Sequence, residues 1–225
     1  MTDAFPTTRS VASWVAGLRH DDVPVPVRAA LRRLVLDTVG VGLFGGDQPW
    51  TKAVRTWALT AVPAKGTRRA RLWGDAETWL RPAEAALVNG TAAHAYELDD
   101  FHNAKLHPGA VVIPAALAMA EALDADGSRL ETAIAAGYEV AIRTALALGP
   151  ARARLRGWHL TGVCGPLGAA AASAILLGLD EDVPALVAAL QLSHVLRALL
   201  PGESSGHGHY TTLHPRFLPV RFPSL

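Results

Sequence analysis

PAALAMAEALDADGSRLETAIAAGYEVAIR, Pro114 to Arg143, is the stretch on which the fold turns. Small and apolar residues recur in it at helical spacing, Leu123-Asp124 opens an acidic turn, and a second apolar helix follows. GPLGAAAASAILLGLDEDVPALVAALQLSHVLR, Gly165 to Arg197, repeats the pattern around Leu179-Asp180. Two helical hairpins lying side by side are expected, with Ala and Gly letting the backbones approach closely. Two copies are too few for a solenoid.

Outward from these hairpins the helical period continues. SVASWVAGL is a short opening helix, and PVPVRAALRRLVLDTVGVGLFGG is a long one with proline near its start and paired glycines at its end. WTKAVRTWALTAV is a third. RARLWG, Arg69 to Gly74, is the single β-like piece, bounded by turn residues. Helix resumes in RPAEAALVNGTAAHAYEL, with Pro82 in the first turn and an end expected near Leu98. The expected class is all-α, a domain of packed helical hairpins over residues 1–200. Residues 201–225 carry Pro201, Pro215, Pro219 and Pro223 and no helical stripe, and read as an irregular tail.

Composition removes several function classes. Of the 225 residues 50% are hydrophobic and 18% charged, enough apolar material to bury a core. The net charge is +1 without a dense basic run, which argues against a nucleic-acid partner. MTDAFPTTRSVASWVAGL has no apolar core after a basic start, so it does not read as a secretory leader. LVLDTVGVGLFGG carries Asp37 and several glycines and is shorter than a bilayer requires, so no membrane partner is expected and the localisation expected is cytoplasmic. A lone cysteine, Cys164, cannot form an intrachain disulfide, a multi-thiolate zinc site or a conventional iron–sulfur cluster. It reads as a small buried hydrophobe rather than a nucleophile.

The chemistry is concentrated in HAYELDDFHNAKLHPGA, His94 to Ala110, with three carboxylates, three imidazoles and one ammonium. On a helix reaching Leu98, His94 and Glu97 share a face, and Asp99 and Asp100 stand at its C-terminal end, where anions oppose the dipole. His102, Lys105 and His107 supply compensating charge nearby. Three readings stay open on the residues alone: a solvated polar loop, a cation site with no specific spacing, and acid/base chemistry on a small anion. HPGA favours the third, since it turns the chain into a helix whose first amides can meet an anion. RGWHLTGVCGPLG, with His159 and Thr161 ahead of another helix, is a second arrangement of the same kind.

LVLDTVGVGLFGG, ARLWG, AALVNGTAAHAYELDDFHNAKLHPGAVVIPAALAMAEAL and GWHLTGVCGPLGAAAASAILLGLD, in this order, resemble the successive signatures of the MmgE/PrpD family from about Val11 to Leu200. The family includes 2-methylcitrate dehydratases and cis-aconitate decarboxylases, with iminodisuccinate epimerases among its relatives. The resemblance implies a helical main domain, a smaller α+β lid from later sequence, a homodimer, and a small di- or tricarboxylate substrate handled without metal or other cofactor. His107 of HPGA and His159 of GWHLTG match family active-site histidines. Glu97 takes the first acidic position of a DFDD-like run where aspartate is usual, Asp99 and Asp100 keep the later two acids, and His102 the histidine after them. Phe101 replaces a common threonine.

These matches imply His107 and His159 as the proton-handling or carboxylate-binding pair, with Glu97, Asp99 and Asp100 orienting and tuning them; His102 and the neighbouring Lys105 and Thr161 are expected as substrate-binding residues. Which histidine is the base stays open. In YTTLHPRFLPV, Thr211 stands where the family has a substrate-binding lysine and Arg216 where it has glycine. The chain ends at Leu225, about half the usual family length, and a frame shift near residues 195–210 or a decayed gene would explain both departures. The expected function is therefore a tricarboxylate lyase, by dehydration or decarboxylation, impaired by loss of its lid. The alternative is a non-catalytic fragment or pseudoenzyme subunit that pairs with a full-length relative.

Overall fold

A computed structural model describes residues 6–60 and 69–179. Within them the chain forms α1 (Pro6–Gly17), a 3-10 turn (His20–Asp22), α2 (Val25–Gly45), α3 (Pro49–Thr60), β1 (Ala70–Leu72), β2 (Asp75–Leu80), α4 (Pro82–Ala93), α5 (Gly109–Leu123), α6 (Gly127–Leu148), α7 (Pro150–Leu155) and α8 (Leu160–Leu177). The architecture is mostly helical with one small sheet. The end of the second hairpin, the tail, Thr211 and Arg216 lie outside the described residues.

The first hairpin forms as its pattern predicts. Asp124 ends α5 in the left-handed region at φ 52°, and Asp126 caps α6 by accepting from the Arg129 amide at 2.8 Å. The helix opening the second hairpin, α8, packs against both α5 and α6. Small residues set that approach: a methyl group on Gly137 would lie 2.5 Å from Val112 Cγ1 and 2.9 Å from the Gly168 carbonyl oxygen. Val112, Ile113 and Ile134 are buried at the centre of this packing, with Leu31 from α2 and Leu176 from α8. By length and hydropathy α8 is also sufficient to cross a bilayer, but half of it is buried in the packing of the other helices.

Two local expectations need correction. RARLWG is not a lone β piece, because DAETWL returns antiparallel to it and pairs Ala70 with Leu80 and Arg71 with Trp79. Buried Asn89 of α4 locks the hairpin: its Oδ1 accepts from the Trp73 amide and its Nδ2 donates to the Arg71 carbonyl, each at 3.0 Å. Helix α4 stops at Ala93, not near Leu98. His94 caps its C-terminus, residues 94–96 turn, and Glu97 sits at φ 51°. The early stop takes Asp99 and Asp100 off the unfavourable end of the dipole and gives each carboxylate a specific partner.

Candidate active site

The fold brings the loop between α4 and α5 against the N-terminus of α8. Leu106, fully buried, anchors the loop in an apolar cluster with Leu160 and Cys164. Thr161, in the first turn of α8, accepts the His107 amide on its Oγ1 at 3.0 Å. His159 caps the same helix. Residues more than fifty positions apart are thereby held side by side.

Three imidazoles converge. The His94 ring centroid lies 4.9 Å from that of His107 and 5.7 Å from that of His159. Asp99, whose side chain is wholly buried, lies against two of them, His94 and His107. His94 Nδ1–H donates to Asp99 Oδ1 at 3.0 Å, and His107 Nδ1 stands 3.4 Å from Asp99 Oδ2. The hydrogen bond to Asp99 raises the pKa of His94 against the opposing effect of burial. It also fixes the tautomer, leaving Nε2 as the nitrogen that can exchange a proton. His107 is half-buried, while His159 and Glu97 are exposed at the rim. Donor atoms of His94, Glu97 and His159 all lie within 4.8 Å of one another, and so do those of His94, Asp99 and His107.

Asp100 faces the other way. Its Oδ1 accepts the Gly109 amide at 2.9 Å, so the anion at the start of α5 is the protein's own carboxylate rather than a ligand. A methyl group on Gly109 would lie 2.1 Å from that oxygen, 2.8 Å from Tyr138 Oη and 2.9 Å from Thr38 Oγ1. Only glycine allows this closeness. Burial pushes the Asp100 carboxyl up to about 6, and burial with Asp100 beside it pushes the Tyr138 hydroxyl up as well.

The remaining positions expected at the site are placed less centrally. His102 accepts the Ala104 amide on Nδ1 at 3.0 Å, and burial lowers its pKa. Lys105, at φ 63°, holds its Nζ 5.7 Å from the Phe101 ring centroid. The Thr161 hydroxyl oxygen accepts the His107 amide, and its own O–H is a further donor. Phe101, where the resemblance has threonine, places its ring 5.2 Å from that of His107 and adds an apolar wall. Cys164 is buried and its thiol is pushed up to about 12, consistent with a packing role. Sequence reasoning set His94 beside Glu97 but gave it no role at the site, although its ring joins the other two; the signal available was its imidazole five positions before Asp99.

The family model for the MmgE/PrpD N-terminal domain matches residues 9–208. The cis-aconitate decarboxylase-like protein oryM of Aspergillus oryzae is 33% identical over 198 residues, 81% of this chain and 39% of the relative. Cis-aconitate decarboxylase of Aspergillus terreus is 32% identical over 78% of this chain and 36% of its own length. The Homo sapiens enzyme of the same name is 30% identical over 83% and 39%, respectively. The chain thus spans under two fifths of the length of these curated relatives.

Proposed function

The chain belongs to the MmgE/PrpD family, and from that premise we propose that it carries the imidazole side of a lyase site for a small di- or tricarboxylate such as cis-aconitate or 2-methylcitrate. The observation that carries this reading is the convergence of His107 and His159 on His94, with one buried carboxylate, Asp99, beside His94 and His107. Elimination and decarboxylation of such substrates need one group to move a proton and others to hold carboxylates. Imidazoles do both near neutral pH.

In this reading His107 and His159 meet the substrate, each charge-assisted contact contributing about 1.5–3 kcal/mol. Asp99 lies against His94 and His107, Glu97 adds negative charge at the rim, and Asp100 holds the loop through Gly109. Thr161 positions His107 through its backbone, and His102 and Lys105 stand as the outer carboxylate-binding residues. The protein acts as a homodimer in the cytoplasm and uses no resident cofactor or metal for the reaction. The names of its relatives favour decarboxylation of cis-aconitate over dehydration.

The test is an NMR assay of the purified chain with cis-aconitate, 2-methylcitrate and citrate, comparing wild type with His107→Ala and His159→Ala. Conversion of one substrate that disappears in both variants supports the reading. A folded wild-type protein that neither binds nor converts any of them, or variants that bind and turn over as wild type does, would overturn it and favour a non-catalytic subunit.

A further inference from the structure

We propose that the outer rim of the imidazole cluster, His94, Glu97 and His159, binds a divalent cation of the zinc class. The reaction proposed above calls for no metal, and this binding is separate from it. Two imidazoles and one carboxylate form a donor set that zinc accepts with a fourth position left open. The three donor atoms lie within 4.8 Å of one another. Around a tetrahedral ion with bonds near 2.1 Å, donors are about 3.4 Å apart. Closing the trio on an ion therefore needs about an ångström of side-chain movement, and the exposure of Glu97 and His159 leaves room for it.

The surroundings favour this trio over the deeper one. His94 donates its Nδ1–H to the buried Asp99 carboxylate at 3.0 Å, an arrangement that orients a ligating imidazole and makes its Nε2 a better donor. In the deeper trio of His94, Asp99 and His107, the Asp99 oxygens already face both Nδ1 atoms. An ion there would have to break the hydrogen bond from His94 to Asp99 inside the protein. His94 is common to both trios, so one ion excludes the other. The carboxylates of Glu97 and Asp99 also supply negative charge that attracts a dication. An ion held at the rim would cover nitrogens that a substrate carboxylate meets, so its expected effect is inhibition.

The experiment is calorimetric titration of the 225-residue chain with zinc chloride in a non-chelating buffer, with cobalt(II) absorption as a second readout of coordination. Because His207, His209 and His214 in the tail also offer imidazoles, every protein is prepared with these three changed to alanine. The expected result is one ion per chain, with affinity falling at least about tenfold in His159→Ala and in Glu97→Gln, and circular dichroism unchanged. His107→Ala is expected to alter it less. No saturable binding by the folded chain, or binding indifferent to both rim substitutions, would overturn the proposal. Loss in His107→Ala alone would assign the ion to the deeper trio and equally overturn it. None of these readouts depends on turnover, so failure of the lyase reading leaves this test intact.

Discussion

His94, Asp99 and Asp100 show how one loop assigns different work to adjacent ionisable groups. Asp99 is buried with an imidazole donor, whereas Asp100 is half-buried against an amide and the Tyr138 hydroxyl, and its carboxyl rises to about 6. The Asp100 carboxyl holds its proton more tightly in the folded chain than the unfolded value of 3.8 allows. Its favourable contribution is therefore fully present below that value and is lost as pH rises through about 6. Asp100→Asn keeps an oxygen for the Gly109 amide and removes the titration. It should be more stable than wild type above pH 6 by up to roughly 3 kcal/mol, with the difference vanishing near pH 4, as denaturant unfolding at several pH values will measure. The imidazoles divide similarly. His159 is exposed, so His159→Ala should change stability by less than about 0.5 kcal/mol. His107 is half-buried, with its ring against those of His94 and Phe101, so His107→Ala should cost about 1–3 kcal/mol. Thermal melts of the two variants side by side check both.

At the scale of elements, the helices are joined through small residues more than through large ones. Gly137 of α6 and Gly168 of α8 face each other, and a methyl group on Gly137 would overlap Val112 and the opposing carbonyl. Gly137→Ala should therefore destabilise by about 1–3 kcal/mol despite the higher helix propensity of alanine. Gly40 in α2 has no atom within 4 Å of an added methyl group, so Gly40→Ala should stabilise by about 0.5–1 kcal/mol. Chemical denaturation distinguishes the two, and equal effects would mean that the helix crossing tolerates more bulk than its geometry implies. The helices were legible because apolar periodicity runs unbroken along them. β2 was not, since Asp75, Ala76 and Glu77 have weak strand preference and the hairpin is held by Asn89 from another element. The end of α4 was missed for a related reason: HAYEL continues the helical pattern, and the stop comes from the tertiary pull of Asp99 on His94 and of Asp100 on Gly109.

For the whole molecule, α2 and α3 leave Leu36 at 74%, Phe44 at 62% and Trp57 at 55% exposure. Apolar exposure of this extent favours association. Sedimentation velocity at micromolar concentrations should therefore find a dimer, in line with the homodimer in the proposed function. A monomer across the whole concentration range would remove that partner from it.

Apolar periodicity, capping residues and the ordered motifs were enough to determine by themselves that this is a mostly helical chain, where its first hairpin lies, and which family it resembles. These are local signals, carried by residues within one or two helical turns of each other. The meeting of His94, His107 and His159 was decided only by tertiary structure. It depends on the burial of Leu106 with Leu160 and on the Thr161 hydroxyl receiving the His107 amide, contacts between segments more than fifty residues apart. The separate roles of Asp99 and Asp100 were likewise invisible as neighbouring letters, because burial and hydrogen-bond partners set the behaviour of a carboxylate.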